Sequence, residues 1–475
     1  MIVAPIRSPM VTPIYGGIRT AFDAIAGNAT QTVLELLRVA GKKAFFPSTN
    51  PETGWWQDAA GTTQAALEQP VGRITDLSGG SFHATQATSV NRPTYTKRVN
   101  FLQRTEDFSN AAWTKTGPPT LVHGLAGPTG TLVSSSLEDT TGGTYKRVWQ
   151  AFTVTPSQAF TAKFFVKKES SETAYGGVGI TFSGVSTKTC YAIINAVTGT
   201  ATLASVTAAS ASASVENYSS TWWRVTVSVT DNGANTACAL DFYATLSTNG
   251  TALGVGIGSA RTIAMPDIRP SAFAGMNLPP YQRVTNGAAG TADYDTVGFR
   301  PMLYFDGTND GLATPAIDLT GTNQIMALCN ALLVSHASTG AIYETGAGSA
   351  GSMAILNSTV GANYAARSAG TILVTATSAT TFTAPDLACF RHVASIPGDS
   401  LTLYRNGVSI ATSGSDQGTG NYAGTFPLYI GARGGTSLFF KGYMIPGFMG
   451  DTTGIPTSLL DQMAREQAAL WGVAI

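Results

Sequence analysis

Charge is the property that this sequence has least of. Lysine, arginine, aspartate and glutamate make up 12% of its 475 residues, about half of the roughly 25% typical of soluble proteins. The 28 basic and 28 acidic residues cancel to a formal net charge of zero, so no basic surplus favours nucleic acid as a partner. Serine, threonine, glycine and alanine stand where lysine and glutamate usually cover a surface. This composition favours a protein whose surface is largely covered in an assembly.

Cysteine is also scarce. Cys190, Cys238, Cys329 and Cys389 lie far apart and form no C-x-x-C pair. This spacing excludes a dense disulfide scaffold, and it lacks the short paired spacing that a structural zinc site needs. We therefore expect buried, reduced thiols.

The four histidines are His83, His123, His336 and His392, and none lies at metal-ligand spacing from another. We expect His392 to be a hydrogen-bonded histidine within a strand and His83 to be solvated or to stabilise a turn. No G-x-S-x-G occurs, so a serine hydrolase elbow is unsupported. The sequence predicts no catalytic residue, no metal ligand and no cofactor, and it leaves the binding residues unknown.

Long apolar runs are missing as well. No stretch reaches the roughly 18 apolar residues that a membrane span needs, so we expect no membrane insertion. Pro5, Pro9 and Pro13 interrupt the N-terminus, which excludes a secretory signal and predicts an extended arm.

A helical pattern follows the arm. Thr32-x-x-Glu35 resembles a capping box, and Gly41 is a candidate C-cap. The apolar residues that share helical faces are Ile18, Phe22, Ile25, Val33, Leu36, Leu37 and Ala40. Residues 1–48 are predicted to be an arm and helical docking segment, with a helix packed on the neighbouring domain as the open alternative. Residues 49–99 are predicted to be a β-rich connector.

Alternating apolar and polar residues dominate the rest of the chain. Between residues 100 and 285, runs such as Phe160 to Val166 are typical of half-buried antiparallel strands. Residues 286–475 contain a second β-rich block, in which Asn406-Gly407 predicts a tight hairpin. A closing helix is predicted with Ser458 as its cap and one apolar face, formed by Leu460, Met463, Ala464 and Trp471, before Gly472. The predicted fold is mainly β, with two tandem antiparallel β-sandwich (jelly-roll) domains, a short helical N-terminal segment and a C-terminal helix.

The stretch NFLQRTEDFSNAAWTKTG, from Asn100 to Gly117, is unusually dense in charge and aromatic residues. We interpret it as the entry strand and turn of the first sandwich rather than as a reaction centre. The aromatic residues predicted to anchor the core are Phe101, Phe108 and Trp113. The charged residues predicted to lie at the rim or to pair locally are Arg104, Glu106, Asp107 and Lys115.

Two glycine-rich motifs resemble ligand loops. Gly346 to Gly351 match G-x-G-x-x-G, but a strand-like SMAILN follows where a dinucleotide site needs a helix, so a hairpin loop is predicted. Asp306 and Asp310 start like a calcium loop, yet the twelfth position is Ile317 where a bidentate glutamate is required. A turn stabilised by its aspartates is favoured, and calcium binding there stays open.

Two features of the sequence bear on glycan chemistry, namely paired tryptophans and sparse carboxylates. In an extended strand one ring of Trp55-Trp56 and one of Trp222-Trp223 must point outward, as sugar-stacking platforms would, although packing against another domain or subunit is favoured. A glycan-cleaving enzyme needs two carboxylates roughly 5–10 Å apart. Glu106 and Asp107 would point to opposite faces of a strand, and no parallel β-helix repeat occurs. An enzyme is the weaker hypothesis.

The order of the motifs resembles two known kinds of domain. YFDGTNDGL, FRHVASIPGDSLTLYRNGVSIATSG and PLYIGARGGTSLFFKGYMIPGF resemble a concanavalin A-like (laminin G-like) jelly roll. Residues 100–284 resemble carbohydrate-binding-module-like jelly rolls of bacteriophage tail and virion proteins, and QPVGRITDLSGG to NRPTY resembles the segment that precedes such domains. The resemblance, which covers roughly residues 55–475, implies a phage virion protein but no functional residues.

The resulting expectation is a non-enzymatic virion protein, a tail fibre or appendage that attaches to host-surface glycan and is assembled in the host cytoplasm. Its expected partners are other virion proteins, bound through the N-terminal segment, and further copies of itself, with a trimer as one option. A decoration protein that binds only virion subunits is the first alternative, and a depolymerase tailspike is the second.

Overall fold

The structure is a computed structural model, and it divides the chain into two compact units. Unit 1 comprises Met1–Thr96 and Arg300–Ile475, and unit 2 comprises Lys97–Phe299. The residues that the structure describes are 28–39, 41–66, 68–95, 100–141, 143–154, 159–170, 175–231, 235–246, 258–271, 281–285, 302–334, 338–346, 353–359, 362–382, 386–418, 424–469, 473 and 475.

Helices are few in these ranges. They are α1 (Asn28–Val39), the single turn α2 (Pro51–Gly54), α3 (Thr457–Ala469) and a 3-10 turn at Ser89–Asn91. None of them is long and apolar enough to cross a membrane.

The strands of unit 1 fall on both sides of unit 2 in sequence. Before unit 2 they are β1 (Ala44–Phe45), β2 (Trp55–Trp56), β3 (Arg73–Ile74), β4 (Ala84–Thr85) and β5 (Thr94–Tyr95). Those of unit 2 are β6 (Thr114–Thr116), β7 (Thr120–Ala126), β8 (Leu132–Asp139), β9 (Arg147–Thr153), β10 (Ala159–Lys167), β11 (Tyr175–Ser183), β12 (Lys188–Asn195), β13 (Thr200–Ala204), β14 (Ser210–Asn217), β15 (Trp222–Thr230), β16 (Ala237–Leu246) and β17 (Ser259–Pro270). Unit 1 then continues with β18 (Leu303–Asp306), β19 (Leu312–Asp318), β20 (Gln324–Leu333), β21 (Gly340–Thr345), β22 (Met353–Asn357), β23 (Tyr364–Ala369), β24 (Leu373–Thr377), β25 (Asp386–Ser395), β26 (Ser400–Arg405), β27 (Val408–Ser413), β28 (Thr425–Ile430), β29 (Lys441–Ile445) and β30 (Met449–Asp451).

Unit 1 is a sandwich of two antiparallel sheets around one core. The first sheet runs in the order β27-β26-β25-β20-β29-β18-β5, with β30 on β20 and β1 on β30. The second runs in the order β2-β3-β4-β19-β28-β21-β22-β23-β24. Side chains of both sheets, such as Leu303, Phe390, Ile355 and Tyr364, meet in one buried cluster.

Unit 2 is a second sandwich of two six-stranded sheets. Their orders are β14-β15-β10-β17-β8-β7 and β13-β12-β11-β16-β9-β6. The alternation predicted from Phe160 to Val166 is confirmed, because Phe160, Ala162, Phe164 and Val166 are buried in the core between the sheets. The mainly β, antiparallel fold is therefore confirmed.

The arrangement of the two sandwiches differs from the tandem order that we expected. Residues 49–99 are not a separate connector, because their short strands complete both sheets of unit 1: Tyr95 pairs with Leu303 and Thr85 pairs with Ala313. Trp55, Ile74 and Ala84 lie in the same core as the C-terminal block. Unit 2 is thus an insertion in the sequence of unit 1.

Helix α1 packs within unit 1. Val33 and Leu37 lie in a buried cluster with Met463 and Ala464 of α3, and the backbone N–H of Thr30 donates to Glu466 Oε2 at 3.0 Å. For α1 the structure therefore agrees with the alternative prediction, a helix packed on the neighbouring domain. Docking remains a prediction for residues 1–27, which lie outside the described residues.

Three local predictions at helix ends and turns have clear outcomes. The predicted capping box at Thr32 is wrong, since α1 begins at Asn28. Gly41 does adopt a left-handed φ of +63° after α1, as a C-cap glycine requires. The Asn406-Gly407 hairpin is confirmed, because both residues have positive φ and join β26 to β27.

The predicted faces of the terminal helices are largely confirmed. In α1, Val33 and Leu37 are buried as expected, but Leu36 is 40% exposed and Leu34 is buried in its place. In α3, the apolar face contains Leu460, Met463 and Ala464, all of which are buried. Ile18, Phe22, Ile25, Ala40, Trp471 and Gly472 lie outside the described residues.

Candidate functional site

An aromatic surface covers the outer side of one sheet of unit 2. Outer positions of β6, β9, β16, β11, β12 and β13 form two neighbouring rows across this sheet. One row runs Thr116, Arg147, Tyr243, Gly177, Ile193 and Thr202, and the next runs Thr114, Trp149, Asp241, Gly179, Tyr191 and Ala204. We call Tyr145, Arg147, Trp149, Tyr191, Asp241 and Tyr243 the aromatic face.

The rings of the aromatic face contact one another. Tyr243 lies edge-on to both Tyr145 and Tyr191, with ring centroids 5.3 and 5.8 Å apart. Tyr145 is 40% exposed and Tyr243 is buried, while Trp149 and Tyr191 are half-buried. The face therefore has a buried aromatic floor and partly open rings above it.

Two glycines of β11 make room for these rings. A Cβ at Gly179 would lie 2.8 Å from the ring of Tyr191, and one at Gly177 would lie 2.7 Å from Leu246 Cδ1. Both distances are closer than Cβ contacts in proteins, so the Tyr191 ring can lie over the strand only because Gly179 has no side chain. Trp149 and Tyr191 are three strands apart, which places their backbones roughly 14 Å from each other.

One ion pair supplies the charge of the aromatic face. Arg147 Nη1 donates to Asp241 Oδ1 at 2.6 Å and to the hydroxyl of Tyr243 at 3.3 Å. The Arg147 guanidinium also lies 5.6 Å from the centroid of Trp149, within the range of a cation–π contact. Burial raises the pKa of Asp241 to about 6, and the attraction of Arg147 opposes this rise.

This arrangement can hold a sugar ring. A pyranose presents an apolar face that stacks on an aromatic ring, and its hydroxyl groups pair with charged donors and acceptors. The aromatic face offers both within the distance of two or three sugar residues.

The stretch of residues 100–117 is structural. Phe108 and Trp113 lie in the core of unit 2 with ring centroids 4.6 Å apart, and Phe101 packs against that core. The predicted entry strand is wrong for residues 100–113, which form turns and irregular backbone, and the first strand is β6 at Thr114. Asn100 contacts β17 through its side chain, whose Oδ1 accepts the backbone N–H of Ile268, while its own backbone N–H donates to Gln282 Oε1.

Asp107 and Lys115 of that stretch bond locally, as predicted, whereas the partner of Glu106 is 177 positions away in the chain. Glu106 lies 3.1 Å from Arg283 Nε. Asp107 accepts a hydrogen bond from the backbone N–H of Ser109, and Lys115 Nζ donates to the carbonyls of Ser109 and Asn110 at 2.8 Å. Arg104 adopts a positive φ of 49°, and its carbonyl accepts a hydrogen bond from Trp113 Nε1.

Neither tryptophan pair forms an open platform. Trp55 is buried and donates to the carbonyl of Ser48, and Trp56 donates to Thr75 Oγ1. Trp222 is buried beside Phe165. Trp223 lies against Gly199, where a Cβ would be 2.6 Å from the ring, and donates to the carbonyl of Ala196. Each pair packs inside its own unit.

The described histidines and cysteines have structural surroundings. His83 Nδ1 accepts the backbone N–H of Asp76 at 2.9 Å, which stabilises a turn as predicted. His392 is fully buried, its Nε2 lies 2.8 Å from the carbonyl of Arg367, and burial lowers its pKa to about 4. All four cysteines are buried free thiols, as predicted. His123 lies on β7, and His336 is outside the described residues.

The two glycine-rich motifs form turns or lie beside strands. The carboxylate of Asp306 accepts the backbone N–H groups of Thr308 and Asn309, and Asp310 accepts that of Asp306, as in the predicted turn. Gly346 follows β21, and the segment after the motif is the antiparallel strand β22, as a hairpin requires. Within the described ranges, no three histidine, cysteine, aspartate or glutamate side chains are grouped to hold a metal ion.

Sequence reasoning did not find the aromatic face. Arg147 and Asp241 are 94 positions apart in the chain, so no local motif joins them. The available signal was the alternation of glycines in GGVGITF, because glycine inside a strand often marks a close approach by another group.

Comparisons with known proteins give only distant likenesses. No family model and no curated protein matches the sequence. Among solved structures, the chain is similar to the CBM40 domain of the Ruminococcus gnavus IT-sialidase bound to α2,3 sialyllactose, at 15% identity over 32% of this chain and 96% of that one, with a TM-score of 0.24. It is similar to the mouse laminin α1 domains LG4-5 at 11% identity, over 63% and 89% of the two chains and with a TM-score of 0.24. It is similar to the Trypanosoma rangeli sialidase in complex with the inhibitor DANA at 11% identity, over 86% of this chain and 69% of that one, with a TM-score of 0.28. Likenesses at such TM-scores carry no argument about ligand or activity.

Proposed function

We propose that the protein binds glycan through the aromatic face of unit 2 and that it does so without cleaving it. The observation that carries the proposal is the pairing of half-buried Trp149 and Tyr191 with the Arg147–Asp241 ion pair on one outer sheet surface. Aromatic rings recognise the apolar faces of sugars, and the partly exposed guanidinium of Arg147, held in place by the buried carboxylate of Asp241, can donate to their hydroxyl groups. Because the two charges compensate each other, neutral sugar residues suit this face.

We propose further that the protein is part of a bacteriophage virion, where it forms a tail appendage that contacts the host surface. Support comes from the order of motifs in the sequence and from a composition suited to an assembly. Several copies on one particle would raise the effective affinity of individually weak sites. A map of the virion that locates the chain tests this placement: a distal tail position is expected, and a position on the capsid surface would favour the decoration protein instead.

Glycan binding is tested with the full chain on a glycan array and on host cells. We expect Trp149→Ala and Tyr191→Ala each to weaken binding at least ten-fold, because each change removes one stacking surface. The matched control is Tyr218→Ala, since Tyr218 is 44% exposed and follows β14 of the other sheet of unit 2, where its ring lies against Phe165.

Two results would contradict the proposal. Binding that survives both substitutions would exclude the aromatic face, provided that thermal unfolding shows folded variants. Release of reducing sugar from host polysaccharide would overturn the absence of cleavage and favour the depolymerase.

A further inference from the structure

A second charged site lies on the outer surface of unit 1, far in sequence from the aromatic face. Its centre is Glu344 on β21, whose side chain is fully buried. Arg433 Nε lies 3.0 Å from both carboxylate oxygens of Glu344. The guanidinium therefore bonds to the carboxylate through Nε alone. Its Nη2 is buried without a hydrogen-bond partner among the described residues.

Arg367 reaches the same position from the other side. Tyr429, Glu344, Ala354 and Arg367 form one row across β28, β21, β22 and β23. Since strands are about 4.8 Å apart, Glu344 and Arg367 are separated by roughly 10 Å at the backbone, with only the small side chain of Ala354 between them.

The guanidinium of Arg367 forms no ion pair with any carboxylate in the described ranges of the chain. Within the described part of the chain its Nε is buried without a hydrogen-bond partner. Burial lowers the pKa of Arg367, the charge of Arg433 lowers it further, and Glu344 acts in the opposite direction. Among the described residues, two guanidinium groups therefore lie near one carboxylate, and Arg433 Nη2 and Arg367 Nε are N–H donors that have no hydrogen-bond partner there.

The loop that carries Arg433 is fixed in shape. Arg433 and Ser437 pair across a tight turn in which Gly434 and Gly435 adopt positive φ values of 58° and 70°. Gly435 lies against Tyr429, since its Cβ would be 3.7 Å from the ring. The two arginines are therefore presented by a strand and by a constrained loop beside an aromatic ring, which suits a preorganised site.

We propose that Arg367 and Arg433 bind an oxyanion, namely the carboxylate or sulfate group of an acidic sugar that lies beside Tyr429. A planar guanidinium presents paired N–H donors that match the two oxygens of such a group. An anion would complete the donors that Glu344 leaves unused. The assignment to an acidic sugar rests on the proposed glycan binding, whereas the oxyanion site itself does not.

The test is titration of the full chain with sodium sulfate and with sodium glucuronate, each against sodium chloride at equal ionic strength, followed by calorimetry and thermal unfolding. Arg367→Gln should weaken binding of both anions at least ten-fold. Glu344→Gln should strengthen it at least five-fold, because both guanidinium groups lose their competing carboxylate. Arg224→Gln is the matched control, since Arg224 pairs with Glu216 on a different sheet. General stabilisation by sulfate acts equally on all variants.

The results of these titrations distinguish an oxyanion site from a purely structural ion pair and from binding at the aromatic face. A purely structural ion pair predicts that Glu344→Gln lowers the unfolding temperature and leaves the response to anions unchanged, which would overturn the proposal. Binding of sulfate without glucuronate supports the oxyanion site and overturns the acidic-sugar assignment. Tyr191→Ala should leave both titrations unchanged, and a loss there would assign the binding to the aromatic face instead. If Arg367→Gln does not fold, Arg367→Lys keeps the charge without the paired donors and should also weaken binding.

Discussion

Asp241 combines almost complete burial with one charged partner in the part of the chain that the structure describes. It is 2% exposed and pairs with Arg147. Burial raises its pKa from 3.8 to about 6 in the folded protein, in spite of the opposing attraction of Arg147. Between about pH 4 and 6 the folded state therefore holds a proton that the unfolded chain has lost. Stability from this group is present at low pH and is lost as the pH rises through that window.

Asp241→Asn should remove this dependence. A shift of about two pKa units corresponds to about 3 kcal/mol, so the stability of the variant relative to the parent protein should rise by about that amount from pH 4 to pH 7. Scanning calorimetry of the full chain at a series of pH values measures this difference, from the unfolding transition whose temperature the substitution changes.

The control for that experiment is Asp107→Asn. Burial acts to raise the pKa of Asp107, but hydrogen bonds from Ser109 prevail and lower it, so its contribution is constant from about pH 5 upward. Parallel pH profiles of Asp241→Asn and the parent protein would show that Asp241 is ionised in the folded state throughout this range.

Single residues were predictable where their partners are close in sequence. Lys115 bonds carbonyls five and six positions away, and Phe108 and Trp113 lie in the core as predicted. The distant partner of Glu106, Arg283, could not be predicted. Arg367 and Arg433 could not be assigned, because their relation to Glu344 exists only after three strands and a loop have assembled.

Strand β11 contributes to the aromatic face through two glycines, whose missing side chains leave space on the outer side of the sheet. Gly177 and Gly179 point to the outer surface, while Val178 and Ile180 point into the core. Gly179 has no positive φ, so the requirement for glycine is the space that Tyr191 occupies.

Gly179→Ala should displace the Tyr191 ring. We expect a loss of about 1–3 kcal/mol in the free energy of unfolding, as for other overpacked sites, and glycan binding weakened about ten-fold. Gly176→Ala in the same strand is the matched control, because its Cβ would meet Arg261 Cγ at an ordinary 3.6 Å. Chemical denaturation and the glycan array give the two readouts. Equal effects of the two substitutions would contradict a specific role for Gly179.

The elements most visible in the sequence were those with internal patterns. The β26–β27 hairpin was predicted from two adjacent turn residues, and α3 from its periodic apolar face. Strands β1 to β5 have two residues each, which is too short for any alternation to show. Strands β1, β4 and β5 pair with β30, β19 and β18 from the later part of the chain, and β2 and β3 join the sheet through β4. Their place in unit 1 is therefore fixed by pairing and not by local preference.

At the scale of the whole molecule, the insertion of unit 2 explains why a linear reading divides the chain wrongly. Composition changes near residue 49 and again near residue 100, which suggests successive blocks. The core of unit 1, however, joins Phe45 and Trp55 to Leu333 and Phe390. Insertion of one domain into another is tolerated where the two ends of the host chain lie close together, and here Tyr95 is paired directly with Leu303.

Two truncations follow from this nesting and should behave in opposite ways. A chain that joins residues 1–96 to residues 300–475 through a short glycine-serine linker should fold, since Tyr95 and Leu303 lie only about 5 Å apart across the strand pair. A chain of residues 286–475 alone should be insoluble or unfolded, because it lacks α1, β1 to β5 and the buried side chains of Phe45, Trp55 and Ile74. Circular dichroism and thermal unfolding distinguish the two. A cooperative transition in the 286–475 fragment would show that the early strands are dispensable, and the division of the chain into a separate connector and C-terminal sandwich would then be restored.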